Sequence, residues 1–231
     1  MLREISLDTE TTGMEPATGD RMVEIGAVEL INHVPTGKNY HVYLNPERDI
    51  PPEAVAVHGL TEEFLADKPL FSQVFPEFLD FLGADSQLVI HNAEFDMKFI
   101  NAELKSVGHP GIKMDRVMDS VKVARKKFPG SPANLDALCR RFDIDLSGRE
   151  LHGALLDAQL LADVWLELNG GRQRGLEIEA DGQNHGSESG NVIAMERTFR
   201  EPRRFEVPKE ELQAHEALLE KLKDPLWRSK A

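Results

Sequence analysis

Two carboxylates, Asp8 and Glu10, stand two residues apart in the segment Asp8-Thr9-Glu10-Thr11-Thr12-Gly13, directly behind the apolar run Ile5-Ser6-Leu7. Residues i and i+2 of a strand share a face, so a strand here holds both charges together. Like charges that close repel strongly unless a cation lies between them. Crowded oxygen ligands of this kind suit Mg²⁺ or Mn²⁺. Two more segments carry acids at the ends of predicted elements. His91-Asn92-Ala93-Glu94-Phe95-Asp96 joins a strand to a helix, and His152-Gly153-Ala154-Leu155-Leu156-Asp157 opens a long helix. Asp157 falls in its first turn and faces solvent if Leu155, Leu156 and Leu160 face the core. Four such acids suit a pair of ions about 3.5–4 Å apart, which activates a water and stabilises the leaving oxygen of a phosphodiester. His152, with an ordinary pKa of about 6.5, can take the proton of that water near neutral pH. Taken singly, Asp96 reads as a helix-start acid, and His152 with Asp157 as a capping pair.

The elements that must position these groups follow from periodicity. Leu2–Asp8, Arg21–Ile31 and Tyr40–Leu44 read as strands of an antiparallel meander, with a turn at Pro35-Thr36-Gly37. Phe71–Leu82 has apolar residues at helical spacing. Gln87–His91 is a fourth strand and Phe95–Val107 a helix. Arg116–Asp119 is a short fifth strand leading into a helix through Arg125. Asn134–Phe142 and Ala154–Leu168 are helices. Three strands followed by alternating helix and strand imply an α/β fold, a mixed sheet flanked by helices. Cys139, amid apolar helix positions, reads as a small core residue. Glu179–Asn191 has too little apolar surface to offset its ordering entropy and reads as a flexible linker. A partial apolar stripe (Leu212, Leu218, Leu219, Leu222) follows a helix start at Val207–Pro208. A lone helix of that length is marginal in water and calls for a partner.

The charge narrows the partners. The 231 residues carry a formal net charge of −13, and residues 1–169 alone hold 16 Lys/Arg against 28 Asp/Glu. Such a domain binds a polyanion poorly by itself, so metal ions, or a more basic partner, must offset the repulsion. Its main basic cluster is Lys122, Arg125, Lys126 and Lys127, which reads either as a nucleic-acid contact or as a solvated helix face. No apolar run approaches the ~20 residues of a membrane helix, no secretory signal is evident, and a single cysteine allows no internal disulfide. The expectation is a cytoplasmic protein with no membrane partner.

Together, DTETTG, HNAEFD and HGALLDA resemble, in order and spacing, the three motifs of the DEDD exonuclease superfamily in its histidine-containing branch. The joint match outweighs the ordinary explanations of each acid. The resemblance spans residues 2–168 and narrows, through AVHGLT (Ala56–Thr61), MDSVKVARKKFPG, NLDALCRRF and the tail AHEALLEKLKDPLWR, to the epsilon proofreading family of bacterial DNA polymerase III. It implies a ribonuclease-H-like five-stranded mixed sheet, two Mg²⁺ or Mn²⁺ ions, and 3′→5′ release of 5′-mononucleotides from single-stranded or frayed DNA 3′ ends. Carried over, Asp8, Glu10 and Asp157 bind the water-activating ion, and Asp8 bridges to a second ion held by Asp96. His152 is the general base. Thr9, Thr11 and Thr12 surround the 3′-terminal nucleotide, His58 lies close to it, and Asn92 lies near the substrate backbone.

The same resemblance divides the chain into an exonuclease domain (1–169), a flexible linker (170–195) and a segment that docks on the polymerase alpha subunit (196–231), with Leu226 and Trp227 as anchors. Gln173, Leu176 and Ile178 resemble a sliding-clamp-binding pattern. There Ile178 replaces the usual aromatic and Arg174 and Glu177 add charge, which implies weak binding. Two other functions compete: an RNA-processing exonuclease of the same superfamily, which needs no such tail, and a non-catalytic scaffold of the polymerase core, which needs no intact set of catalytic side chains.

Overall fold

The computed structural model describes residues 1–148, 151–171 and 207–222. The chain divides into two units, Met1–Ile178 and Glu179–Ala231. In the first, β1 (Arg3–Thr11), β2 (Met22–Ile31), β3 (Val34–Tyr43), β4 (Gln87–Ile90) and β5 (Val117–Asp119) form one sheet in the order β3-β2-β1-β4-β5. The meander β1–β2–β3 is antiparallel, whereas β4 runs parallel to β1 and β5 parallel to β4. The carboxyl ends of β1, β4 and β5 therefore share one edge, where open α/β sheets place their sites. The helices are α1 (Pro52–His58), α2 (Glu62–Leu65), α3 (Phe71–Leu82), α4 (Ala93–Ser106), α5 (Ser120–Lys127), α6 (Leu135–Arg141), α7 (Ala154–Leu168) and α8 (Lys209–Lys221).

Alternation along the strands feeds two cores. Ile5, Leu7, Ile25, Leu88 and Ile90 pack with Phe71 and Phe78 of α3 and Phe99 and Ile100 of α4. Val28, Leu30 and Val89 point to the other face and pack with Ala124 of α5, Leu138 and Cys139 of α6, and Leu161 and Trp165 of α7. Polar contacts fasten α7 to β1: the Ser6 hydroxyl donates to the Ala158 carbonyl at 2.8 Å, and Trp165 Nε1–H donates to the fully buried Glu4 at 2.8 Å.

Three expectations change. β1 runs on past Asp8 to Thr11, because β2 faces it throughout, with Asp8 opposite Gly26 and Glu10 opposite Glu24. The β2–β3 turn is at Asn32-His33, not Pro35–Gly37; both residues have positive φ (50° and 71°), the geometry of a two-residue hairpin turn. Pro35 instead sits inside β3, tolerated because β3 is an edge strand. Finally, α1 and α2 were not foreseen, since neither is long enough to show an apolar stripe.

In the second unit, α8 follows Pro208 as expected, carries Glu210 and Glu211 in its first turn, and exposes Leu212 and Leu218, with Leu222 exposed just beyond it. Gln173, Leu176, Ile178, Leu226, Trp227 and the linker Glu179–Asn191 lie outside the described residues. Among the described residues no helix is long and apolar enough to cross a membrane.

Candidate active site

Asp8 and Glu10 lie on the α7 face of β1, and the register shifts between Glu10 and Thr11. A bulge at a strand end re-aims the side chains that follow. Thr9, on the opposite face, donates to Asp96 Oδ1 from its backbone N–H (3.1 Å) and from its hydroxyl (2.8 Å). That pair seats the first turn of α4 over the end of β1. Thr9 thus holds a carboxylate rather than lining the cleft that Thr11 and Thr12 line.

Asp157 does not face solvent, as the leucine pattern suggested; it is 3% exposed. The helix lies flat on the sheet, so Ala154, Asp157, Ala158 and Leu161 turn inward together, while Leu155 and Leu156 are only partly buried. Gly26 permits this approach. A Cβ there would come within 2.2 Å of the Ala154 carbonyl carbon and the Leu155 nitrogen. His152 is half-exposed, with Nδ1 at 3.2 Å from Asp157 Oδ2. Its backbone N–H donates to the Val57 carbonyl at 3.1 Å, so the unforeseen helix α1 helps position it. Glu10, His152 and Asp157 each offer a ligand atom within 4.8 Å of the others.

The electrostatics fit a cation. Burial raises the Asp8 pKa well above its ordinary value, and Asp96, Glu10, Asp157 and Glu24 add to the rise. Asp96 is pushed up to about 7 by burial, against the lowering effect of the Thr9 hydrogen bonds. Glu24, which belongs to none of the three motifs, is buried directly across from Glu10 and paired with His41 Nε2 at 2.7 Å. Between the unfolded value near 4 and the folded value near 7, native Asp96 holds more protons than the unfolded chain. Stability therefore falls as pH rises through that window, by a bound on the order of 4 kcal/mol. The melting temperature of the metal-free protein should drop between pH 5 and 8. Added Mg²⁺ or Mn²⁺ should raise it more at pH 8 than at pH 5; an equal gain at both would refute the assigned cluster.

Beside the acids lies a cleft of about 460 Å³, lined by Glu10, Thr11, Thr12, Val57, His58 and Phe95 among others. That size suits a small ligand. His58 is buried, and its Nδ1 accepts the Leu60 N–H at 3.0 Å, which leaves the proton on Nε2. Burial lowers its pKa, with the Thr11 backbone opposing, and its Nε2 atom is itself buried. A smaller cleft holds Asp8, His152 and Asp157 together with His91 and Asn134. His91 Nδ1 lies 2.8 Å from the Ser120 hydroxyl, a structural bond. Asn92, in the left-handed region at φ 65°, borders a neighbouring polar groove instead.

Comparison with known proteins gives the family. The Exonuclease family (RNase_T) matches residues 5–165. The chain is 48% identical over 227 residues to the DNA polymerase III subunit epsilon of Rickettsia prowazekii, covering 96% of this chain and 97% of that one. It is 44% identical over 241 residues to the subunit epsilon of Escherichia coli K12, covering 98% of each. Among solved structures, exonuclease X in complex with 5′-overhanging duplex DNA is similar at a TM-score of 0.57 and 30% identity, covering 73% of this chain and 91% of that one.

Proposed function

The chain belongs to the exonuclease (RNase_T) family and, within it, to the DNA polymerase III epsilon subunits, and from that premise we propose that it proofreads replication by hydrolysing the 3′-terminal phosphodiester of DNA. One observation carries the reading: Glu10, His152 and Asp157 converge at the end of β1, with Asp8 and Asp96 in electrostatic reach, beside a nucleotide-sized cleft. Asp8, Glu10, Asp96 and Asp157 would hold two divalent cations, Mg²⁺ or Mn²⁺, which when bound neutralise the acids, activate water and stabilise the leaving oxygen. His152 takes the proton of the attacking water, and Asp157 steadies its ring at 3.2 Å. Thr11, Thr12, His58 and Phe95 enclose the 3′-terminal nucleotide in the cleft. Attack then releases that nucleotide as a 5′-monophosphate.

A frayed, mismatched end reaches such a site more readily than a paired one. A tether to the polymerase raises local concentration without a tight contact, which suits an acidic domain. The relatives' match extends through nearly the whole chain. It supports residues 196–231 as the segment docking on the polymerase alpha subunit, with Leu226 and Trp227 as anchors, and Gln173, Leu176 and Ile178 as a weak clamp contact. The protein would work in the bacterial cytoplasm at the replisome.

The test is hydrolysis of 5′-labelled single-stranded DNA, and of the matched RNA, with Mg²⁺, Mn²⁺ or EDTA. The expected result is a ladder shortened from the 3′ end, dependent on the cation and faster on DNA. Preference for RNA would move the assignment to RNA processing. No cleavage of either by folded protein with both cations would leave a scaffold.

A further inference from the structure

The 3′-terminal nucleotide and the acids occupy one side of the α4 N-terminus, where Phe95 lines the cleft. On its other side, Asn92 and Glu94 border a polar groove of about 660 Å³, completed by His91, Asn134, Lys122 and Arg125. His91 and Asn134 also line the small cleft that holds Asp8, His152 and Asp157. The groove therefore adjoins the cleft of the catalytic acids. Lys122 and Arg125 stand three apart on α5, on one face of the helix. α5 begins where β5 ends, on the same sheet edge as the acids.

Several cations of the domain are held by acids: Arg3 by Glu29, Arg21 by Glu103, Arg48 by Asp20 and Lys98 by Glu15. Arg125 is exposed, and among the described residues no acid pairs with it. Lys122 makes only a long 3.7 Å contact to Asp119, whose other oxygen caps α5 by accepting the Val121 N–H at 2.9 Å. Asp119 and Glu94 are the two acids that also line the groove.

We propose that this groove is the path of the strand 5′ to the scissile bond, and that Lys122 and Arg125 bind its phosphodiesters. The acids repel a polyanion over most of the domain surface. Two cations in a polar groove opening from the scissile position give the strand one favoured exit, and phosphate contacts fix register without reading sequence. The inference rests on the nuclease function proposed above.

The full chain carrying Lys122→Ala/Arg125→Ala tests it against wild type. Three substrates are needed: the p-nitrophenyl ester of thymidine 5′-monophosphate, and thymidylate oligomers of two and of eight nucleotides. The ester fills only the terminal-nucleotide cleft. Expected for the variant are an unchanged ester rate, an unchanged kcat and a KM for the octamer raised about tenfold. The slope of log affinity against log salt should also shrink by about 1.4, roughly 0.7 for each single-strand phosphate the variant no longer holds. Lys122→Arg/Arg125→Lys should restore the octamer KM. Lys105→Ala/Lys113→Ala, which removes the same charge from the last turn of α4 and the segment after it, should leave it alone. An unchanged octamer KM and salt slope in the first variant, or an equal effect of the distant pair, overturns the groove. Failure of wild type on every substrate would instead overturn the nuclease reading.

Discussion

Asp8→Asn should lower 3′ hydrolysis by about 10⁴-fold or more while raising the melting temperature of the metal-free protein. Asparagine keeps the shape of aspartate and removes its charge. Asp8 sits on the central strand, and burial together with Asp96, Glu10, Asp157 and Glu24 disfavours its ionised form. The metal-free fold therefore bears a cost of holding Asp8, ionised or protonated, that the variant lacks. Relief of even 1 kcal/mol moves the midpoint of a chain this size by about 2–4 °C. Catalysis runs the other way. Asp8 is the acid flanked by all the others, so cation binding at the cluster depends on it, and stabilisation of developing charge usually contributes most to such chemistry. Stability gained while activity falls is the mark of a strained functional site. Circular-dichroism melts with and without Mn²⁺, beside a single-turnover assay, would read both. A metal-free midpoint below wild type, or retained hydrolysis, would remove Asp8 from the assigned role.

That site was legible in the sequence to an uneven degree. The i,i+2 spacing of Asp8 and Glu10 fixes their common face once β1 is a strand, and the ends of β1, α4 and α7 follow from periodicity. What periodicity could not supply is depth. The leucine pattern of α7 pointed Asp157 outward, but the helix lies on the sheet and turns the narrow Ala154–Asp157–Ala158 face inward. Small residues carry little hydrophobic signal, so a face built from alanine is invisible to a count of large side chains. Thr9 illustrates a second limit. Placed with its neighbours by motif, it points across the sheet to Asp96, as strand alternation requires. Short helices are the third. α1 has no stripe to detect, yet its Val57 carbonyl and His58 ring hold His152 and line the cleft. Glu24 escaped notice because its importance comes from pairing register across β1 and β2, which no local pattern states.

Gly26→Ala should reduce kcat by about 10²-fold or more with a smaller change in KM for DNA. The residue is extended, so alanine is acceptable to the backbone and only space opposes it. The added Cβ would lie 2.2 Å from the Ala154 carbonyl carbon and Leu155 nitrogen and 2.3 Å from the Ala154 oxygen. Carbon contacts are comfortable only near about 3.5 Å. The obstructing atoms are backbone, with no flexible end to swing aside, so the first turn of α7 must lift from the sheet by about 1 Å. Asp157 and His152 ride on that turn, whereas Asp8, Glu10 and Asp96 do not. The acids would then separate into two groups, and a misplacement of about 1 Å costs on the order of 10²-fold. The fold itself should survive, since overpacking of this kind costs about 1–3 kcal/mol. Gly153→Ala is the matched control: it adds the same methyl next to His152, at an extended position where nothing lies within 4 Å. Its activity should stay near wild type. If both variants lose activity equally, the loss reflects the mobility of the His152 loop. If Gly26→Ala alone stays active, the close approach of α7 to β2 does not set the catalytic geometry.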